Sequence, residues 1–120
     1  MKHLFLLFLI APFILKCQEQ SVLKQDIDQH QEGVGLWWAG HNGWIIKSND
    51  LVISTDILLD YDKRINKPPI SEKELAQILD ISFVTHYHKD HFARSVSKVL
   101  IEESDCIFVI PESCLEIAKA

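Results

Sequence analysis

Apolar and polar positions divide this chain into an apolar leader, a polar stretch, and a series of segments whose periodicity switches between strand and helix. Gly35-Leu36-Trp37-Trp38-Ala39 reads as a first strand. Gly40-His41-Asn42-Gly43 follows as a turn in which both glycines are free to take positive φ. Trp44-Ile45-Ile46-Lys47 returns as a second strand, Ser48-Asn49-Asp50 turns again, and Leu51 to Asp56 forms a third. These three make a meander with aromatic side chains filling its face. Core packing is the expectation for at least two of Trp37, Trp38 and Trp44, with an aromatic binding platform as the alternative.

Tyr61 to Ile70, containing Pro68-Pro69, reads as a loop able to wall a binding site. Ser71 and Glu74 then form a Ser-x-x-Glu capping box that opens a helix running through Leu79. Ile81 to Thr85 is a short apolar run with the character of a buried strand. A helix is expected over residues 93–103, with Val96, Val99 and Leu100 on one stripe. Cys106 to Ile110 is a fifth strand, and Pro111 starts a last helix over residues 112–120. Because strands and helices alternate after the hairpins, the sheet is expected to be mixed.

The amino terminus has a different character. Lys2 and His3 precede twelve mostly apolar residues, Leu4 to Leu15, too short to span a bilayer but the length of a secretory h-region. Residues 1–17 are therefore read as a signal peptide, and the chain as exported: periplasmic, secreted or held on a bacterial envelope. Cys17 stands where a lipoprotein signal places its acylated cysteine, although Lys16 replaces the usual small residue. Lipid on Cys17 would give membrane attachment; cleavage elsewhere would give a free protein. Residues 18–32, rich in Gln, Asp and Glu, read as a flexible tether, leaving 33–120 as the folded part.

The formal net charge is −5, and loss of residues 1–16 removes Lys2 and Lys16 but no acid, leaving −7. No basic stripe exists to neutralise phosphates, so a nucleic-acid partner is not expected. Cys106 and Cys114 can pair in an oxidising compartment or serve as small buried apolar residues.

The densest chemistry is His86-Tyr87-His88-Lys89-Asp90-His91, which places three of six histidines and a carboxylate in six consecutive positions at a strand exit. Imidazole and carboxylate are ligands of zinc-class cations. Residues i and i+2 point the same way in extended chain, so His86 and His88 can face one cation while Lys89 turns outward. A turn after His88 would swing Asp90 and His91 towards the same pocket. Adjacent residues join a tetrahedral centre poorly, so they suit a second cation about 3.5–4 Å away. The competing reading is a solvated His-rich turn, with Asp90 as a turn-former or helix cap.

Thr85-His86-x-His88-x-Asp90-His91 resembles the signature of the metallo-β-lactamase-fold hydrolases at every defined position. Gly40 to Ile46, followed by Leu51 to Asp56, is similar to the early hairpin and acid-terminated strand of that family. The Gly40-His41 step resembles the branch that includes ascorbate-phosphate lactonase-like enzymes. The resemblance covers about residues 34–120. It implies an αββα sandwich (α+β), truncated after its first half, with one sheet-and-helix layer present and an apolar sheet face left open. It further implies a zinc hydrolase of a small-molecule ester, lactone, amide or phosphoester acting through a metal-activated hydroxide, with Mn2+ or Fe2+ as alternatives. His86, His88, Asp90 and His91 would be the metal ligands, with Asp90 also orienting the hydroxide. Asp56 would lie beneath the metals and orient their loops; read without the resemblance, it is equally a strand-terminating turn residue.

No histidine follows His91, whereas a catalytic zinc wants three protein ligands. The family draws the remaining ligands from a later half of the chain, so the expectation is the amino-terminal half of a longer enzyme. The alternative is a truncated, non-catalytic exported protein that binds metal or serves as an interaction module.

Overall fold

Alternating side chains in β1 (Val34–Gly40) and β2 (Gly43–Ser48) close an antiparallel hairpin in which Trp37 faces Ile45 and Trp38 faces Trp44. Its turn places Gly40 and His41 at positive φ, and the register shifts between Trp38 and Gly40. The computed structural model describes residues 20–119; the expected signal segment with Cys17 lies outside them. A second turn, with Asn49 at positive φ, leads into β3 (Leu51–Thr55), antiparallel to β2.

From β3 onward the pairing changes from antiparallel to parallel and the connections lengthen. A loop and the helix α2 (Glu72–Ala76) lead to β4 (Ile81–Phe83), which pairs parallel to β3. Helix α3 (Arg94–Glu103) leads to β5 (Ile107–Val109), parallel to β4. The result is an α+β domain whose mixed five-stranded sheet has the order β1-β2-β3-β4-β5. A 3-10 turn at Glu112–Cys114 runs into α4 (Leu115–Lys119). Among the described residues no helix is long and apolar enough to cross a membrane.

The two faces of this sheet are unlike. On one, the row Trp37–Ile45–Ser54–Ser82–Phe108 lies under α2 and α3, whose Leu75, Ala76, Val96 and Leu100 join Ile45 and Val52 in one buried cluster. Lys47, the one cation of this face, is buried and donates from Nζ to the carbonyl of Ile27 at 2.8 Å. The other face carries three rows: Val34–Ser48–Leu51, then Leu36–Ile46–Ile53–Ile81–Ile107, then Trp38–Trp44–Thr55–Phe83–Val109. None of these thirteen residues is charged. Leu36 and Ile107 are each 61% exposed and Trp38 59%.

Three expectations need correction. The stretch read as a flexible tether, 18–32, contains a helix, α1 (Val22–Gln29), with Ser21 as its N-cap. Leu23 and Ile27, four apart and so on one side of the helix, anchor it to the core, and Ile27 is fully buried. Trp37 clamps it further by donating from Nε1 to Asp26 at 2.6 Å. The indole lies over Gly35, where any Cβ would meet the ring. Second, α2 stops at Ala76 rather than Leu79, where Gln77 and Ile78 donate three residues back, to the Glu74 and Leu75 carbonyls, and tighten the last turn. Third, only Trp37 of the three tryptophans packs against the core, since Trp38 and Trp44 stand on the open face.

The expected capping box on α2 is present and extends further than the motif alone implies. Glu74 accepts from the Ser71 N–H at 2.9 Å and hydroxyl at 2.7 Å, and also from the Ser21 N–H that begins α1. One carboxylate therefore serves the start of two helices. Burial pushes the Glu74 carboxyl up, but the bonds from the backbone N–H groups of Ser21 and Ser71 and from their hydroxyls outweigh it and set its pKa at about 2.

Candidate metal centre

The site grows from the place where β3 and β4 end side by side. Asp56 leaves β3 with φ of +47°, a left-handed conformation that aspartate tolerates better than most residues. This twist sends its N–H to the Phe83 carbonyl at 2.9 Å, joining the two strand ends. Its carboxylate, almost wholly buried, then receives three groups from the segment that follows β4. Thr85 donates its N–H to Oδ1 and its hydroxyl to Oδ2, each at 2.8 Å, while His91 Nδ1 lies 2.9 Å from Oδ2.

These bonds order the histidines one after another. A carboxylate accepts, so His91 presents N–H at Nδ1 and keeps a lone pair on Nε2. That lone pair faces the Asn42 amide, which donates to it at 2.9 Å. The Thr85 hydroxyl, having given its proton to Asp56, accepts from His86 Nδ1 at 2.9 Å. His86 Nε2 is then an acceptor, and it meets His88 Nδ1 at 3.0 Å. The chain Asp56–Thr85–His86–His88 thus fixes tautomers from a buried carboxylate outward. A carboxylate or hydroxyl behind a ligating imidazole is the arrangement that orients metal-binding histidines.

The turn expected after His88 is present: His91 and Phe92 both donate their N–H groups to the His88 carbonyl, at 2.9 and 2.8 Å. It brings His91 against His86, with ring centroids 3.9 Å apart. Asp90 sits at the mouth, with Oδ2 3.8 Å from His91 Nε2. A hydrogen bond from its own backbone N–H, aided by His91 and His41, holds the Asp90 carboxyl below the usual carboxylate range.

The donors approach one another in pairs. His86 Nε2 and His88 Nδ1, 3.0 Å apart, nearly match the separation of about 3.3 Å between two nitrogens on a tetrahedral zinc with Zn–N near 2.0–2.1 Å. One small cation could replace the proton they share. Among the described residues no group of three or more His, Cys, Asp or Glu side chains is arranged to hold a cation. The donor set fits a zinc-class ion in kind and in pairing, and falls short in number.

Two participants were not foreseen. The Gly40–Gly43 turn crosses to the motif, so His41 Nε2 reaches 3.6 Å from Asp90 and the Asn42 amide touches both Asp90 and His91. The His41 ring stacks on Tyr61, with centroids 5.0 Å apart at 27°. The sequence signal was the pair of glycines around two polar residues in so tight a turn, which projects their side chains beyond the strand ends. Beside His41 lies a cavity of about 450 Å³ bounded by the 61–69 loop, including Tyr61, Lys63 and Lys67. Arg64 anchors that loop through bonds to the Ala39 and Leu58 carbonyls at 2.8 and 3.0 Å. Cys106 and Cys114 are free thiols, the latter fully buried beside Val84 and Phe92.

Comparison of the chain with models of protein families and with curated proteins gives no match.

Proposed function

We propose that this chain is the ligand-bearing layer of an exported, metal-dependent hydrolase of the metallo-β-lactamase fold, acting on a small ester, lactone, amide or phosphoester. The observation that carries this reading is the bond chain from buried Asp56 through Thr85 and His91 to the strand-end histidines. A solvated His-rich turn has no need of a buried carboxylate that sets its tautomers. His86 and His88 would hold one zinc-class cation, and Asp90 with His91 a second. Such a cation, when bound, supplies a Lewis acid and lowers the pKa of its water to near 7.

The chain's own groups supply the rest. Asp56 keeps the His91 proton on Nδ1 and so leaves the lone pair on Nε2, where a cation would take the place of the Asn42 amide. Asp90, held ionised, accepts the hydrogen bond of an attacking water and orients it. The 61–69 loop and Tyr61 wall one side of the mouth and limit access of bulk solvent.

A second reading, a non-catalytic exported metal-binding or interaction protein, is favoured by the pairwise arrangement of donors. Equilibrium dialysis against zinc separates the two. Tight uptake of two equivalents, weakened at least tenfold by His86→Ala or His91→Ala and accompanied by hydrolysis of an ester and lactone panel, supports the hydrolase. Tight uptake that stays without turnover even when the chain is joined to a carboxy-terminal half supplying the remaining ligands supports the second reading. Uptake unchanged by either substitution overturns both.

A further inference from the structure

His41 is the one imidazole at the candidate metal centre to which the proposed chemistry gives no task. It stands on the turn between β1 and β2 with φ of +52°. A residue other than glycine is uncommon in that left-handed region and stays there when its surroundings hold it. Two neighbours do so. The Arg64 guanidinium fills the space that a Cβ on Gly40 would need and bonds the Ala39 carbonyl, clasping the entry to the turn. The Tyr61 ring stacks on the imidazole itself.

The held ring faces the second pair of donors. His41 Nε2 lies 3.6 Å from Asp90 Oδ2, and His91 Nε2 lies 3.8 Å from the same oxygen. A hydrogen bond between such groups spans about 2.7–3.2 Å, so both separations are too long for one. Two donors on one ion with bonds of about 2.0–2.1 Å stand about 3.3 Å apart at the tetrahedral angle and about 4.1 Å apart at most. Both separations lie inside that range. The three donors do not meet at one point as they stand. The side chains of His41 and Asp90 are 35% and 45% exposed, so packing does not bar either from closing by a few tenths of an ångström. Two imidazoles with one carboxylate is also a donor set that zinc takes in catalytic sites.

We propose that His41 is a third protein donor to the cation at Asp90 and His91, so that the β1–β2 turn and the motif after β4 close on one ion. The proposal rests on the metal-dependent reading and extends its ligand set beyond the six-residue motif. A donor from a second layer of the fold, or a water, takes a remaining place on the ion. Arg64 and Tyr61 then have a shared purpose, which is to hold the turn where its imidazole meets the carboxylate.

Equilibrium dialysis of the full chain against zinc, with and without His41→Gly, tests it, and long-range proton–nitrogen spectra of the imidazoles give a second readout. Glycine accepts positive φ, so the turn should keep its shape, with circular dichroism as the check. The zinc equivalent that His91→Ala weakens is expected to be weakened about tenfold or more by His41→Gly. The equivalent held by His86 and His88 should change less than about threefold. In the wild type, which needs no substitution, the His41 Nε2 resonance should move over the same part of the zinc titration as His91 Nε2. Uptake that neither His86→Ala nor His91→Ala weakens overturns the metal-dependent reading and this proposal with it. Two tight equivalents that His41→Gly leaves unchanged overturn the proposal alone, as does the absence of any equivalent that depends on His91. Weakened uptake with an unmoved His41 Nε2 resonance overturns it too, since the imidazole would then support Asp90 without touching the ion.

Discussion

The two faces of the sheet share the same backbone and alternate along the same strands, yet one is a finished core and the other is not. Ile45 is fully buried, while its partner across the pleat, Trp44, is 44% exposed. Helices α1, α2 and α3 cover the first face, and even its one ammonium group, on Lys47, has a carbonyl partner. On the second, side chains of equal hydrophobicity face outward. Alternation tells which residues share a face; it does not tell whether that face has a neighbour.

Substitutions on the two faces should separate sharply. The largest effect is expected at Ile45→Ala, which opens a cavity in a closed cluster and should cost about 2–5 kcal/mol in urea denaturation. Asp56→Ala comes next, at about 2–3 kcal/mol, because it strands the Thr85 N–H and hydroxyl and puts alanine at positive φ. The same variant should weaken zinc uptake about 10–100-fold, as loss of a group that orients a ligand does. Stability equal to wild type there would show that the strand ends are held by something else.

The third effect depends on pH. Glu74 has its carboxyl lowered from 4.5 to about 2, so the folded state favours its charged form. Its contribution is present above about 4.5 and is lost as pH falls towards 2. Screening at this only partly buried position leaves about 1 kcal/mol. Glu74→Gln should abolish that part of the acid sensitivity; an unchanged pH profile would refute the shared-cap argument. The smallest effect belongs to the open face. Leu36→Ser should change the stability of the monomer by less than about 0.5 kcal/mol. A loss comparable with Ile45→Ala would mean that the face is already covered.

The strands, the capping box and the turn after His88 were legible because each depends on local periodicity or spacing. Helix α1 was not, since only Leu23 and Ile27 anchor it and the surrounding Gln and Asp residues suggest a solvated segment. Ser21 ahead of that i, i+4 pair was the available signal. The pairing of His86 with His88 was anticipated from i, i+2 spacing, although both lie beyond the end of β4, where the chain bends. The approach of His41 and Asn42 depends on which strands are neighbours, a long-range fact that spacing does not contain. Read from its residues alone, Asp56 stood out as the end of a strand, and only the family resemblance gave it an orienting role; the contacts themselves reach 29 and 35 residues away.

The left-handed backbone at Asp56 has one more consequence. Few side chains accept that conformation, and asparagine is among them, with nearly the same shape as aspartate. Exchanging one oxygen for an amide nitrogen therefore leaves the corner of the chain intact while deleting its negative charge. The position offers a clean division between what the bend contributes to the architecture and what the anion contributes to the imidazoles.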